Sequence, residues 1–170
     1  MQGLQTRAAG KSFEQMLAGA GASIASMASS EVYNAMQSGV LDAVNTSSSS
    51  FVSFRIYEQV SCYTPAGEYA LWFMYQPLLM SKSKFESLSE EQQQALLAAA
   101  EKAEAFYLEE AKKEDAASAE VFKENGVEIA AMTAADFEAW RALARETSYK
   151  AFVEETPNGQ QLLDMALAVE

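Results

Sequence analysis

Arg7, Asn45 and the hydroxyl run Ser47–Ser50 are the residues whose types and spacing could do chemistry. Arginine presents a flat fork of N–H donors that fits a carboxylate through two parallel bonds, and it stays charged at any ordinary pH. Asparagine can donate to the same carboxylate, or to a hydroxyl or keto oxygen beside it. Asn45 stands at the carboxyl end of an expected strand, Val40–Val44, and Ser47–Ser50 opens the next helix. The carboxyl edge of a strand facing a helix N-terminus is where α/β proteins tend to hold anions. The chemistry on offer is grip rather than bond making. A second reading stands beside each residue: Arg7 as a surface arginine paired to an acid, Asn45 as a turn residue, and Ser47–Ser50 as helix caps.

Several classes of chemistry are excluded outright. The chain of 170 residues has no histidine, so Ser-His-Asp and Cys-His catalysis and histidine metal sites are absent. Cys62 is the single cysteine, which excludes an internal disulfide and a thiolate cluster. Its apolar surroundings predict a small core residue. There is no glycine-rich phosphate loop, and paired carboxylates occur only on an expected solvated helix. The sequence therefore reads as a non-enzyme without metal or cofactor. Twelve basic against 24 acidic residues give a net charge of −12, which argues against nucleic acid or an anionic membrane surface as partner. The apolar stretch Tyr69–Lys82 is broken by Gln76 and Pro77 and is too short to span a bilayer. Met1–Gly10 lacks the basic-then-apolar order of a signal peptide. Taken alone, these features suit a soluble intracellular chain. A first strand beginning almost at Met1 hints instead at a cut one.

The elements that must position these residues follow from periodicity. Leu4–Ala8 is an expected strand bearing Arg7. Lys11–Ala20 is an amphipathic helix with Phe13, Met16 and Leu17 inward. Ala22–Met27 is a second strand. Ser29 or Ser30 caps a helix through Ser38, and Gly39 stops it. The alternation predicts a small open α/β sheet with parallel neighbours, placing Arg7 and Asn45 on adjacent strands. Phe51–Glu58 is a short helix and Val60–Thr64 a strand. Tyr69–Met80 predicts a long strand bent at Pro77, about 40 Å if extended. Trp72 on it is either a ligand contact or core.

Ser89-Glu-Glu-Gln92 is a capping box, and the helix it opens runs to about Glu124, roughly 50 Å. Leu96, Ala99, Ala103 and Phe106 mark an apolar stripe, and Glu109 is spaced for an ion pair with Lys113. Such a helix is either a strut between two bodies or a long surface helix. Val127–Met132 predicts a strand. A helix capped by Thr133 and Asp136 continues to about Val153, and Gln160–Val169 forms the last one.

The series LQTRAAG, SEVYNAMQSGVLDAVN and LLMSKSKFESLSEEQQ resembles the solute-binding proteins of tripartite ATP-independent periplasmic (TRAP) transporters. SEVYNAMQSGVLDA is the most specific piece. The resemblance covers the second half of such proteins. It implies an α/β periplasmic binding protein-like lobe (type II-like, a mixed sheet flanked by helices) with a long connecting helix, and an incomplete two-lobe protein. Residues 1–64 would form the ligand-binding lobe core and 65–88 the crossing strand and connector. Residues 89–125 would be the spanning helix, and 126–170 would pack back on the lobe. The implied ligand is a small organic carboxylate held between lobes that close by hinging. The implied partners are the membrane subunits of a TRAP transporter, and the implied compartment is the periplasm. Arg7 matches the family's ligand-binding arginine and Asn45 its asparagine. Ser29 takes a position that is often aromatic in sialic-acid-binding members, so that wall of the pocket differs here. With the other lobe missing, exposed apolar faces predict a homodimer with exchanged elements. A helix-mediated dimerising module without ligand is the alternative.

Overall fold

The computed structural model describes residues 1–73 and 77–169. One part of it is a three-stranded parallel sheet in the order β2-β1-β3. β1 (Gln5–Arg7) is central, with β2 (Ser23–Ile24) and β3 (Ala43–Val44) on either side. The register sets Gln5 opposite Ser23, and Arg7 opposite Val44. The parallel arrangement of neighbours is as expected. Every strand pair among the described residues is parallel, so the mixed character expected of the sheet does not appear there.

Between the strands run α1 (Lys11–Gly19) and a 3-10 turn (Ser29–Glu31) leading into α2 (Val32–Gln37). Gly39 stops α2 with φ +72, a left-handed value that glycine adopts without steric cost. Its N–H donates to the Met36 carbonyl, and Val40 N–H to that of Ala35. Val40 is exposed rather than part of β3, which begins at Ala43.

The expected helix Phe51–Glu58 is two pieces. α3 (Ser48–Ser53) starts earlier because Ser47 caps it, its Oγ accepting from Ser50 N–H. Arg55 then adopts a left-handed φ of 54, and a 3-10 turn follows at Ile56–Glu58. β4 (Cys62–Tyr63) pairs in parallel with β5 (Glu128–Ile129) in a separate two-stranded sheet. Cys62 is exposed, not core. The alternation of a strand turns it outward while Tyr63 faces in.

The long strand expected over Tyr69–Met80 is not formed in its described parts. Residues 69–73 and 77–80 are irregular, and residues 74–76 lie outside the described residues. No described strand pairs with this stretch, and a strand's backbone groups need a neighbour to bond. Phe73, Leu78, Leu79 and Met80 are exposed.

Ser81 caps α4 (Lys82–Glu86). The capping box of Ser89 and Gln92 opens α5 (Glu90–Glu124), 35 residues and about 52 Å long. The ion pairs on α5 are Lys112–Glu109 and Lys113–Glu110, three residues apart, in place of the expected Glu109–Lys113 pair. The expected single helix from Thr133 breaks at Thr147 into α6 (Ala134–Glu146) and α7 (Ser148–Glu155). α8 (Gly159–Leu167) follows. Gly159 sits so near α7 that an added Cβ would lie 2.8 Å from Val153 Cα. α6 and α7 pack on α1.

Two apolar clusters hold these parts together. Val32, Leu41 and Ile56 form one, and Tyr63, Phe122 and Val127 the other. Phe51 and Val60 touch both. The Tyr63 and Phe122 rings stack at 4.0 Å between centroids, and Phe51 meets Phe122 edge-on at 5.9 Å. This second cluster fixes the carboxyl end of α5 to α3 and β5. Near the other end, Leu96, Leu97, Phe106, Tyr107 and Leu108 are exposed.

Candidate functional site

Arg7 ends the central strand of a sheet whose connections come back over the same edge. The loops after β2 and β3 therefore converge on its side chain. Its Nε donates to the Met27 carbonyl at 3.1 Å. Nη1 donates to the Asn45 carbonyl at 2.9 Å, and Nη2 to Ser29 Oγ at 3.0 Å. The residue is 7% exposed, and among the described residues it makes no ion pair. Glu14 is near enough to favour the charged form, but its carboxylate accepts from Ser26 Oγ at 2.9 Å.

A buried cation held only by neutral oxygens is an unusual arrangement. Burial costs the charge its hydration, and this lowers the guanidinium pKa from its ordinary value, with Glu14 offsetting part of the shift. The side chain still stays charged at physiological pH. Guanidinium carries five N–H donors. Three are engaged above, leaving one on each terminal nitrogen, the pair that the two oxygens of a carboxylate can take.

Asn45 completes the edge. Its N–H donates to the Arg7 carbonyl at 2.9 Å, continuing the ladder, while its own carbonyl holds the guanidinium. Its side-chain Oδ1 is buried with no partner. An unmade bond of this kind costs about 1–3 kcal/mol. Ser29 does not cap the helix as expected. Its oxygen accepts from Arg7, which leaves its own hydroxyl hydrogen to donate. The Ala28 N–H goes to Glu31 Oε2 at 2.9 Å instead. The structure thus brings Arg7, Asn45 and Ser29 together.

Trp72 lies elsewhere. It lines a largely apolar cavity of about 620 Å³ with Phe13, Met16, Phe137 and Trp140, and none of Arg7, Asn45 and Ser29 is in that lining. Ser47 and Ser50 are occupied with each other at the start of α3, in line with the capping reading. Sequence reasoning missed the Met27 carbonyl, since a backbone acceptor leaves no mark in residue type. No group of metal-ligating side chains is found among the described residues.

Parallel βα units with a buried arginine at the carboxyl edge of the strands are the architecture of a solute-receptor lobe. Comparison with known proteins agrees. Residues 1–156 match the family described as bacterial extracellular solute-binding protein, family 7. A solute-binding protein of Albidiferax ferrireducens is 35% identical over 165 residues, covering 97% of this chain and 49% of that protein. The crystal structure of a TRAP periplasmic solute-binding protein from Rhodoferax ferrireducens, with bound malonate, superposes with a TM-score of 0.89. It shares 34% identity and covers 99% of this chain and 56% of its own. DctP7, a Bordetella pertussis extracytoplasmic solute receptor binding pyroglutamic acid, superposes at 0.79 with 25% identity, over 96% of this chain and 53% of its own.

The chain belongs to the family 7 extracellular solute-binding proteins. It spans about half the length of the relatives it matches. Those relatives are solute-binding receptors, not enzymes. No helix among the described residues is long and apolar enough to cross a membrane.

Proposed function

We propose that this chain is the anion-gripping half of an extracytoplasmic solute receptor that captures a small organic carboxylate for a TRAP-type transporter in the periplasm. The observation that supports this most is Arg7: buried, oriented by three neutral oxygens, and in no ion pair among the described residues. A carboxylate would take its two remaining donors, with Ser29 and Asn45 adding polar contacts. Malonate and pyroglutamic acid, bound by the two relatives above, are small acids of this kind. Domain roles follow the same division: residues 1–64 as lobe core, 65–88 as connector, 89–125 as spanning helix and 126–170 as the segment packing back on the lobe.

The exposed apolar residues of α5 and of 77–80 are where we place the other half of the cleft or, in its absence, a second copy of the chain with exchanged elements. The rival reading, a dimerising helix module without ligand, leaves the buried Arg7 unexplained. The test is an NMR titration with malonate and with pyroglutamate. Shifts at the Ser29 and Asn45 amides that saturate, and that Arg7→Lys weakens at least tenfold, are expected. Titration curves indifferent to Arg7→Lys would overturn the reading.

A further inference from the structure

The loop that carries Asn45 is tied to the middle of the long helix. Three residues beyond Asn45, Ser48 Oγ donates to Asp115 Oδ1 at 2.5 Å, across 67 positions of sequence. On the next turn of α5, Ser118 Oγ donates to the Asp115 carbonyl at 2.8 Å and pairs with the Tyr63 hydroxyl at 3.1 Å. Ser118 is fully buried and Tyr63 nearly so. The contact thus falls where α3, β4 and α5 meet, linked through Ser118 to the Tyr63 ring that stacks on Phe122. From the other side, the Asn45 carbonyl is held by Arg7 Nη1. A short line of bonded groups therefore runs from the guanidinium through Asn45 and Ser48 to Asp115.

We propose that Asp115 is a positioning residue for the ligand loop: its bond to Ser48 sets where Asn45 stands relative to Arg7 and makes that placement depend on α5. The functional consequence rests on the reading of Arg7 and Asn45 as the ligand grip. The physical basis is local. α3 is six residues long, too short to be stable by itself, so its first turn depends on what it is fastened to. Phe51 fixes its inner face through the core. The Ser48–Asp115 bond fixes its opening turn, the part continuous with the ligand loop. Asp115 is exposed, so the bond is worth little to the fold as a whole and more to the placement of one turn.

Amide hydrogen exchange on the whole chain tests this without any ligand. The probes are Ser50 N–H, bonded to Ser47 Oγ, and Phe51 N–H, bonded to the Ser47 carbonyl. Phe137 N–H, at the start of α6, is the remote control. Asp115→Ala should speed exchange at Ser50 and Phe51 by roughly fivefold, leave Phe137 unchanged, and move the Asn45 amide resonance. Asp115→Asn, which keeps an acceptor oxygen, should restore the native rates to within about twofold. Ser48→Ala should reproduce the local change with α5 untouched. Equal acceleration at all three probes, no acceleration at Ser50 and Phe51, or an unmoved Asn45 resonance would overturn the proposal. Because none of these readouts needs malonate to bind, a failed titration above and a failed fastening here remain separate results.

Discussion

At the scale of single residues, the informative feature is an arginine whose bonds all go to uncharged oxygens. Two of its three acceptors are backbone carbonyls, Met27 and Asn45, which cannot change charge or swing away. Lysine at this place would keep the charge but could not reproduce the planar fork. Arg7→Lys should therefore weaken carboxylate binding by at least tenfold and, by leaving buried acceptors without a donor, also cost about 1–3 kcal/mol of stability. Parallel titration calorimetry and urea melts separate the two effects. The grip was partly legible in the sequence. An arginine ending the first strand and an asparagine ending the third are neighbours once the sheet is parallel. Ser29 reads as a helix cap from its residue type and as part of the pocket wall from the family resemblance, because residue type alone does not say which of two nearby donors a hydroxyl will serve. Trp72 on an expected strand reads either as a ligand contact or as core, because residue type does not say which face of a strand is buried. With no strand described there, it lines a cavity beside α1 and α6 instead.

At the scale of elements, the strands are shorter than their apolar runs and the helices break where backbone angles demand it. Val40 and Cys62 sit in apolar runs yet are exposed. Composition marks an apolar run but not where its ladder partner stops. The capping boxes at Ser89 and Thr133 were readable because they are local chemistry, complete within four residues. The break at Thr147 was not, since it depends on how α6 and α7 turn over α1. Phe122 is the residue on which α5 depends, being fully buried among Phe51, Tyr57 and Tyr63. Phe122→Ala should cost about 3–5 kcal/mol, read from the denaturant midpoint at unchanged slope.

The same contact gives a pH dependence. Burial raises the Tyr63 hydroxyl pKa above its usual value, while hydrogen bonds to Ser118 and Ser48 pull it partly back. The folded state thus holds the phenolic proton more tightly than the unfolded chain. The associated stability is present below about pH 10 and is lost as pH rises past that value through the folded pKa. Stability measured from pH 8 to 11 should fall at the alkaline end. Tyr63→Phe should fall less steeply there, while the half-buried Tyr33 and Tyr69, whose pKa values are also raised, keep some of the slope.

At the scale of the whole molecule, the buried and exposed surfaces are distributed unevenly along α5. Its carboxyl end is locked by Phe122 and Ser118, both fully buried. Its other half shows Leu97 at 56%, Phe106 at 69% and Leu108 at 54% exposure, and the stretch before α4 shows Leu79 at 87%. Scattered exposed leucines are ordinary, but we propose that the apolar residues of this helix half, with those of 77–80, favour association. A net charge of −12 opposes that association through repulsion between copies, more strongly at low salt. Salt should therefore decide the balance. Sedimentation at micromolar concentration should show more self-association at about 0.5 M salt than at about 0.02 M, as screening removes the repulsion and leaves the apolar contact. Phe106→Lys together with Leu97→Lys should abolish the salt-induced species. These substitutions lie far from Arg7, so the malonate-induced shifts at Ser29 and Asn45 should persist in the variant. A chain that stays monomeric at both salt concentrations would show that the apolar half of α5 is tolerated in water, and would remove the second copy as an occupant of that surface.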